Sequence, residues 1–253
     1  MKALLRNCQH GGDVFITVQF NSSGIPKNIY KSSSTLNGIQ SLSNEVEGFK
    51  WYSSLNKKSM LATSVATSTE FYCKLRSNYI EGTKLFYYDG LSKNLKYIYL
   101  VISHYCKVWG FSAPNKELHN IHGDFSIDNV IFCDSLPIII DWEHFNQSVA
   151  PIGFDALNLI FEQLWFDKKK LHSDTLFETV KMILLLKSKK CLSPLFLENP
   201  LNKTINFILN NPSIWKGQAM KLPITKFSAK EIKKIDKIIT KMIISEQIIY
   251  EKN

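Results

Sequence analysis

The feature that most constrains this chain is a polar loop followed by two short apolar segments. Residues 121 to 143 read IHGDFSIDNVIFCDSLPIIIDWE. The triplets VIF and III are too apolar for exposed strands, so they predict a buried hairpin. Asn129 lies just before the first triplet and Asp141 just after the second. A hairpin between them would bring both side chains to one point.

Three side chains of this segment fit the chemistry of phosphoryl transfer. That reaction needs a carboxylate that orients and deprotonates a hydroxyl, and Asp124 can supply it. It also needs hard oxygen ligands for Mg²⁺, which takes few from the protein and fills the rest with water and phosphate. Asn129 and Asp141 are the candidate ligands. The segment therefore predicts a nucleotide and Mg²⁺ as cofactors, with ATP expected as the nucleotide and GTP left open.

The same segment resembles the aminoglycoside phosphotransferase and choline kinase family, which is similar in fold to protein kinases. In that family the catalytic loop commonly reads His-Gly-Asp, and the metal-binding Asp is often followed by Trp-Glu, as Asp141 is here. A third segment, APIGFDAL from residue 150, matches the family's Asp that steadies the catalytic loop. The resemblance assigns that role to Asp155. It covers roughly residues 10 to 165, and the last third of the chain carries no such resemblance.

The resemblance implies an α+β, two-lobed protein kinase-like fold. We expect a small β-rich nucleotide-binding lobe at residues 1–80 and a larger, mainly helical catalytic and acceptor-binding lobe at 81–253. A chain of 253 residues is long enough to bury the core of both. Patterning agrees, with strand-like segments at 13–20, 28–31 and 70–75, and helical spacing at 42–55 and 91–105.

Lys31 and Glu45 are the expected phosphate-binding pair of the small lobe. Lys31 lies on the strand where the family places its lysine, and a point charge on a flexible stem suits phosphate. Lys27 is the rival. Glu45 borders the apolar stripe of the following helix, whereas Glu47 lies farther round it. The alternative for each is a solvated surface residue.

Further nucleotide contacts are expected at two places. Gly11 and Gly12 lie where the fold places a loop over the phosphates, although they do not form a Gly-x-Gly-x-x-Gly motif, and an ordinary turn is the alternative. Glu81, in the phrase Tyr-Ile-Glu-Gly, resembles the hinge between lobes that meets the adenine.

His122 could act as a base, but in this motif its ring is expected to support the loop structurally.

The positive charge of the chain is concentrated in its last third. Residues 168–253 hold 17 lysines and 7 acidic residues, whereas residues 1–167 hold 14 basic and 15 acidic residues. Ser228 and Glu231 form a capping-box pattern ahead of an amphipathic helix from about residue 229 to 250. The lysines form either a solvated helical surface or a face for an anionic acceptor or membrane.

Cysteine usage and hydropathy predict a cytoplasmic protein. The five cysteines contain no Cys-x-x-Cys pair, so we expect reduced thiols rather than disulfides or zinc ligands. The sequence shows neither an apolar stretch of transmembrane length nor a signal peptide. Peripheral contact with a membrane is compatible with the basic last third.

The acceptor is the least determined part of the prediction. The expected reaction is transfer of the γ-phosphate of ATP to a hydroxyl of a sugar or cell-surface glycan precursor. A small-molecule kinase of the choline or aminoglycoside type, a protein kinase and a non-catalytic nucleotide-binding protein are the alternatives. Nucleic acid is not expected as a partner. Intact motifs at Asp124, Asn129 and Asp141 favour an enzyme over the non-catalytic alternative.

Overall fold

The N-terminal part of the chain is an antiparallel sheet. The computed structural model describes residues 2–7, 14–55, 63–112, 117–167, 173–215 and 219–250. Five strands pair in the order β1-β2-β3-β5-β4, every pair antiparallel. Their bounds are β1 Lys2–Asn7, β2 Phe15–Phe20, β3 Pro26–Ser33, β4 Thr63–Thr69 and β5 Tyr72–Asn78. The predicted strands therefore exist with shifted ends.

Two strands of this sheet, β1 and β4, were not predicted. β4 reads TSVATST, and its described residues are exposed. Because the side chains described in this strand are exposed, its sequence lacks the alternation of apolar and polar residues that marks a half-buried strand. Its position depends on the six-residue register with β5.

One helix, α1 (Leu36–Leu55), packs across the sheet. Leu42 and Val46 meet Val14, Cys73 and Leu75 in a small apolar core. Farther along α1, the buried side chains join the larger core of the chain instead. The predicted helical stripe is thus correct, and α1 links the sheet to the rest of the molecule.

The larger C-terminal part is mainly helical. Its helices are α2 Gly90–Ser112, α3 Phe154–Phe166, α4 Ser173–Ser188, α5 Pro200–Asn210 and α6 Ala229–Tyr250. The predicted stripe of α2 is buried, with Ile98 and Ile102 fully covered. α3 packs directly on α2 and is buried from residue 154 to 164. The capping box is present before α6, because Ser228 N–H donates to Glu231 Oε2 at 2.8 Å and Glu231 N–H to Ser228 Oγ at 3.3 Å.

Five short strands, β6 Thr83–Lys84, β7 His119–Ile121, β8 Val130–Cys133, β9 Leu136–Ile139 and β10 Asn146–Ala150, support the polar loop. β8 and β9 form the predicted hairpin, with Val130 opposite Ile139. Ile140 N–H donates to Asn129 O at 2.9 Å, which extends the pairing by one step. The start of β8 and the end of β9 therefore lie side by side, as predicted.

The predicted fold class is confirmed. A small antiparallel sheet with one crossing helix is followed by a larger helical part that carries the hairpin. The expected division near residue 80 falls between β5 and β6, and the extent of each lobe as a separate domain stays a prediction. Within the described residues, no helix is both long and apolar enough to span a membrane.

Candidate active site

The polar loop before β8 is organised around Asp124 and Asn129. Asn129 Nδ2 donates to the backbone oxygen of Asp124 at 2.9 Å and to its carboxylate at 3.0 Å. Asn129 is buried, and Asp124 is half-buried. Because the amide nitrogen of Asn129 is used in this way, its Oδ1 is the atom that can serve a cation.

Asp155, at the start of α3, holds the backbone of the loop just before Asp124. Its carboxylate accepts the N–H of His122 at 2.7 Å and the N–H of Gly123 at 3.3 Å. Burial raises the pKa of Asp155 to about 7, although the two amide donors oppose that shift. The structure thus gives Asp155 contacts that suit the steadying role expected of it.

The ring of His122 is fully buried and uses both of its nitrogens. Nε2 lies 2.9 Å from the carbonyl of Ile140, and Nδ1 accepts the N–H of Asp124 at 3.3 Å. Since a carbonyl only accepts, Nε2 carries the proton. Burial lowers the pKa of His122 to about 4. A neutral ring with both nitrogens occupied fits the predicted structural role and not that of a base.

Lys31 joins the sheet, α1 and the hairpin at one point. Its Nζ lies 2.8 Å from Glu45 Oε2 and 2.6 Å from Asp141 Oδ1. Lys27 and Glu47, the rival residues, are exposed. Burial alone would lower the pKa of Lys31, but the two carboxylates raise it overall. The structure therefore brings together the pair that the sequence favoured.

The two carboxylates beside Lys31 differ in character. Glu45 is 3% exposed, and burial raises its pKa to about 7 against the pull of Lys31. Burial would also raise the pKa of Asp141, but the charge of Lys31 and its hydrogen bond lower it to about 2. The Asp141 side chain is 39% exposed. Asp141 is therefore an ionised carboxylate that remains reachable from solvent.

Asp141 and Asn129 form a donor set that fits Mg²⁺. They offer one ionised carboxylate and one amide oxygen at the same end of the hairpin. Across the parts of the chain that the structure describes, no three His, Cys, Asp or Glu side chains cluster as a self-contained metal site. Magnesium in nucleotide enzymes needs no such cluster, because phosphate and water complete its shell.

The segment after Asp141 adds polar groups beside Asp124. His144 is buried, with Nδ1 3.1 Å from the carbonyl of Ile214 and Nε2 3.6 Å from Glu143 Oε1. Burial raises the pKa of Asp124 to about 6, with the charge of His144 opposing the shift. Glu143 contributes to the same rise, as do Asp141 and Asp128. A carboxyl with this pKa changes its protonation near neutral pH.

Two polar side chains of α3 were missed by the sequence analysis. Asn158 and Glu162 are 6% and 8% exposed, and neither Asn158 Oδ1 nor Glu162 Oε2 has a hydrogen-bond partner among the described residues. Burial raises the pKa of Glu162 well above its ordinary range, and the charges of Asp124 and Asp128 raise it further. The available signal was a glutamate within the otherwise apolar run LNLIFEQLW.

The remaining predicted residues are less closely defined. Gly11 and Gly12 lie outside the described residues. Glu81 lies between β5 and β6 with an exposed side chain, and its carbonyl accepts from Cys133 Sγ at 3.0 Å. Its position matches the expected hinge, and its role in nucleotide binding stays a prediction.

Structural comparison finds similar chains in the family that the motifs predicted. The streptomycin–ATP ternary complex of the aminoglycoside phosphotransferase APH(2")-IIa matches with a TM-score of 0.40 and 13% identity, over 92% of this chain and 93% of that chain. The GDP and kanamycin complex of APH(2")-IIia matches with a TM-score of 0.41 and 10% identity, over 89% and 91%. No family model and no curated protein matches this chain. Because both similarities are weak, the fold is assigned from the strand order and helix packing given above.

Proposed function

We propose that this protein is a phosphotransferase that moves the γ-phosphate of ATP to a hydroxyl group. One observation carries the proposal: Lys31 Nζ lies within 2.8 Å of both Glu45 and Asp141. The same hairpin end holds the hydrogen-bonded pair Asp124 and Asn129. A phosphate-binding cation, a metal-binding carboxylate and a candidate base thus meet at one place, which is what phosphoryl transfer requires.

Each residue has a separate task in this proposal. Asp124 accepts a hydrogen bond from the acceptor hydroxyl and takes its proton as the new bond forms. Asn129 holds the Asp124 carboxylate at 3.0 Å. Lys31 neutralises phosphate charge, and Glu45 keeps its ammonium in place. Mg²⁺, bound by Asp141 and Asn129, would offset the charge that develops on the phosphate oxygens. No covalent enzyme intermediate is needed.

The acceptor is proposed to be a small hydroxyl-bearing molecule. The sequence favoured a sugar or glycan precursor, on the basis of the lysine-rich last third. The site gives a specific observation for the second candidate, an acceptor with a cationic group of the choline or aminoglycoside type. Glu162 Oε2 is buried without a hydrogen-bond partner among the described residues, and such a carboxyl is stabilised by a cation that reaches it. The negative charges of Asp124 and Asp128 add to this effect, since they raise the pKa of Glu162 further.

A panel of acceptors tests both the transfer of phosphate to a hydroxyl and the preference for a cationic acceptor. Sugars, lipid-linked glycans and amino alcohols are incubated with the protein, ATP and Mg²⁺, and mass spectrometry detects the addition of one phosphate. We expect transfer to a hydroxyl, and we expect Glu162→Gln to lower kcat/KM at least about tenfold for a cationic acceptor. Transfer to neutral sugars alone, unaffected by Glu162→Gln, would contradict the cationic acceptor. ATP binding without transfer to any acceptor would favour a non-catalytic nucleotide-binding protein.

We also propose a cytoplasmic location with peripheral membrane contact. The four described cysteines are free thiols, which supports a reducing compartment. α6 carries an exposed set of lysines, called here the α6 lysine face: Lys230, Lys233, Lys234, Lys237 and Lys241. None of them forms an ion pair with another described residue. Three of the five line a groove of about 830 Å³ between α5 and α6 that shares no residue with the candidate active site.

A further inference from the structure

A tryptophan of the last third contacts the catalytic loop directly. Trp215 ends a short 3₁₀ turn at Pro212–Trp215, and its side chain is 3% exposed. The indole Nε1–H donates to the carbonyl of Gly123 at 2.7 Å, across 92 residues of sequence. Gly123 is the residue immediately before Asp124, so this bond reaches the backbone that carries the candidate base.

Gly123 is held on both sides. Its N–H donates to Asp155 Oδ1 at 3.3 Å, and its carbonyl accepts from Trp215. Its φ of +83° lies in the left-handed region, and a Cβ there would lie 2.8 Å from the Cβ of His144. No other residue type fits without a shift. Both peptide planes around Gly123 are therefore fixed, and they determine where Asp124 begins.

The same 3₁₀ turn has a second bond to the site. The carbonyl of Ile214, next to Trp215, accepts from His144 Nδ1 at 3.1 Å. His144 in turn packs against Gly123. One turn of the last third thus contacts the loop before Asp124 and the segment after Asp141. Two buried bonds from one turn restrict the loop more than either bond alone.

We propose that Trp215 is a positioning residue for phosphoryl transfer: its indole N–H fixes the Gly123 carbonyl and thereby aims the carboxylate of Asp124. The inference rests on the proposed function. Without the bond, the Gly123 carbonyl is a buried acceptor with no donor, and rotation of the 123–124 peptide becomes the way to relieve it. The chemical step needs Asp124 within hydrogen-bond reach of the hydroxyl, so a rotated peptide slows the step without removing the nucleotide site.

Trp215→Phe tests this inference, because phenylalanine keeps an aromatic ring beside Phe154 and removes the indole donor. The smaller ring also leaves buried space, so the control must lose the same volume. We expect kcat to fall about tenfold while KM for MgATP stays within about twofold. Trp109→Phe is the matched control. Its buried indole also donates to a backbone carbonyl at 2.7 Å, that of Asn120 in β7, ahead of the loop. For a comparable loss of thermal stability, its kcat should stay within about threefold of the wild type.

Hydrogen exchange gives a readout that does not depend on activity. The amides of residues 122 to 124 donate to Asp155 and His122, so a loosened loop exchanges them faster. We expect mass spectrometry to show faster exchange of the 121–126 segment in Trp215→Phe than in the wild type or Trp109→Phe. Unchanged exchange would overturn the positioning role, as would equal kcat losses in both variants. A wild-type protein without transferase activity would overturn the proposed function, while the exchange comparison would still decide what Trp215 holds.

Discussion

Lysine has opposite physical settings in the hairpin site and on α6. Lys31 is largely covered and contacts two carboxylates within 2.8 Å. The α6 lysine face is exposed and forms no ion pair among the described residues. A charge taken out of water is stable only with fixed partners, whereas a solvated charge needs none. We therefore expect the activity of the site to depend on individual residues. We expect any membrane contact of the α6 lysine face to depend only on the sum of its charges.

The strongest test of this difference is Asp124→Asn. The substitution keeps the shape of the side chain but removes the carboxylate that accepts the hydroxyl proton, so transfer should fall by about two orders of magnitude or more. ATP binding should survive. Asp134→Asn is the control, because Asp134 is exposed in the hairpin turn with a φ of 47° that Asn tolerates. Wild-type transfer rates in Asp124→Asn would exclude this residue as the base.

Asp141→Asn should remove the magnesium-dependent part of ATP binding. Asn is chosen because Asp141 has a φ of 64°, which Ala adopts with strain. The variant loses the ionised carboxylate, so the thermal stabilisation given by ATP with Mg²⁺ should fall to that given by ATP with EDTA. The two titrations are compared by thermal shift. An undiminished magnesium effect would show that the cation binds elsewhere.

Lys31→Met should weaken ATP binding by about tenfold, because the phosphates lose their ammonium partner while the side-chain stem is kept. Isothermal titration measures the dissociation constant. Lys27→Met is the matched control, since Lys27 lies on the same strand but is exposed. Equal losses in both variants would mean that total charge, not the fixed pair with Glu45, governs nucleotide binding.

The pH dependence should follow Asp124. Burial raises its pKa to about 6, and a base must be ionised, so kcat/KM should rise with pH through about 6 and then level off. Stability should change in the opposite direction. The pKa of Asp124 is higher in the folded than in the unfolded protein, so its ionisation lowers the free energy of unfolding as the pH rises above the unfolded-state pKa. Activity and unfolding are measured over the same pH range. A profile that is flat between pH 5 and 7 would contradict this assignment.

The smallest effect is expected at the α6 lysine face. Each lysine near an anionic membrane adds about 1 kcal/mol, and salt screens the attraction. We expect co-sedimentation with anionic but not neutral vesicles at low salt, and a stepwise loss as Lys233, Lys237 and Lys241 are changed to Gln. If only the sum of charges matters, the three possible double variants should lose vesicle binding to the same extent. If co-sedimentation changes with neither salt nor vesicle charge, these lysines form only a solvated surface.

The sequence determined those parts of the site that lie close together along the chain. The hairpin, with Asn129 before one strand and Asp141 after the other, follows from two apolar triplets and their spacing. Local hydrophobic periodicity also predicted α1, α2 and α6. Such patterns succeed because neighbouring residues share one element, and burying one face of that element dictates its composition.

Contacts between distant residues were decided by the tertiary structure. Lys31 meets Asp141 across 110 residues, and that contact distinguishes Lys31 from Lys27 on the same strand. Trp215 reaches Gly123 across 92 residues. That Glu162 Oε2 is buried without a hydrogen-bond partner among the described residues is seen only when α3 is packed. Sequence periodicity states which face of an element is covered, but not by what. The partner of each polar group depends on how whole elements pack against one another, and that is fixed only when the complete core assembles.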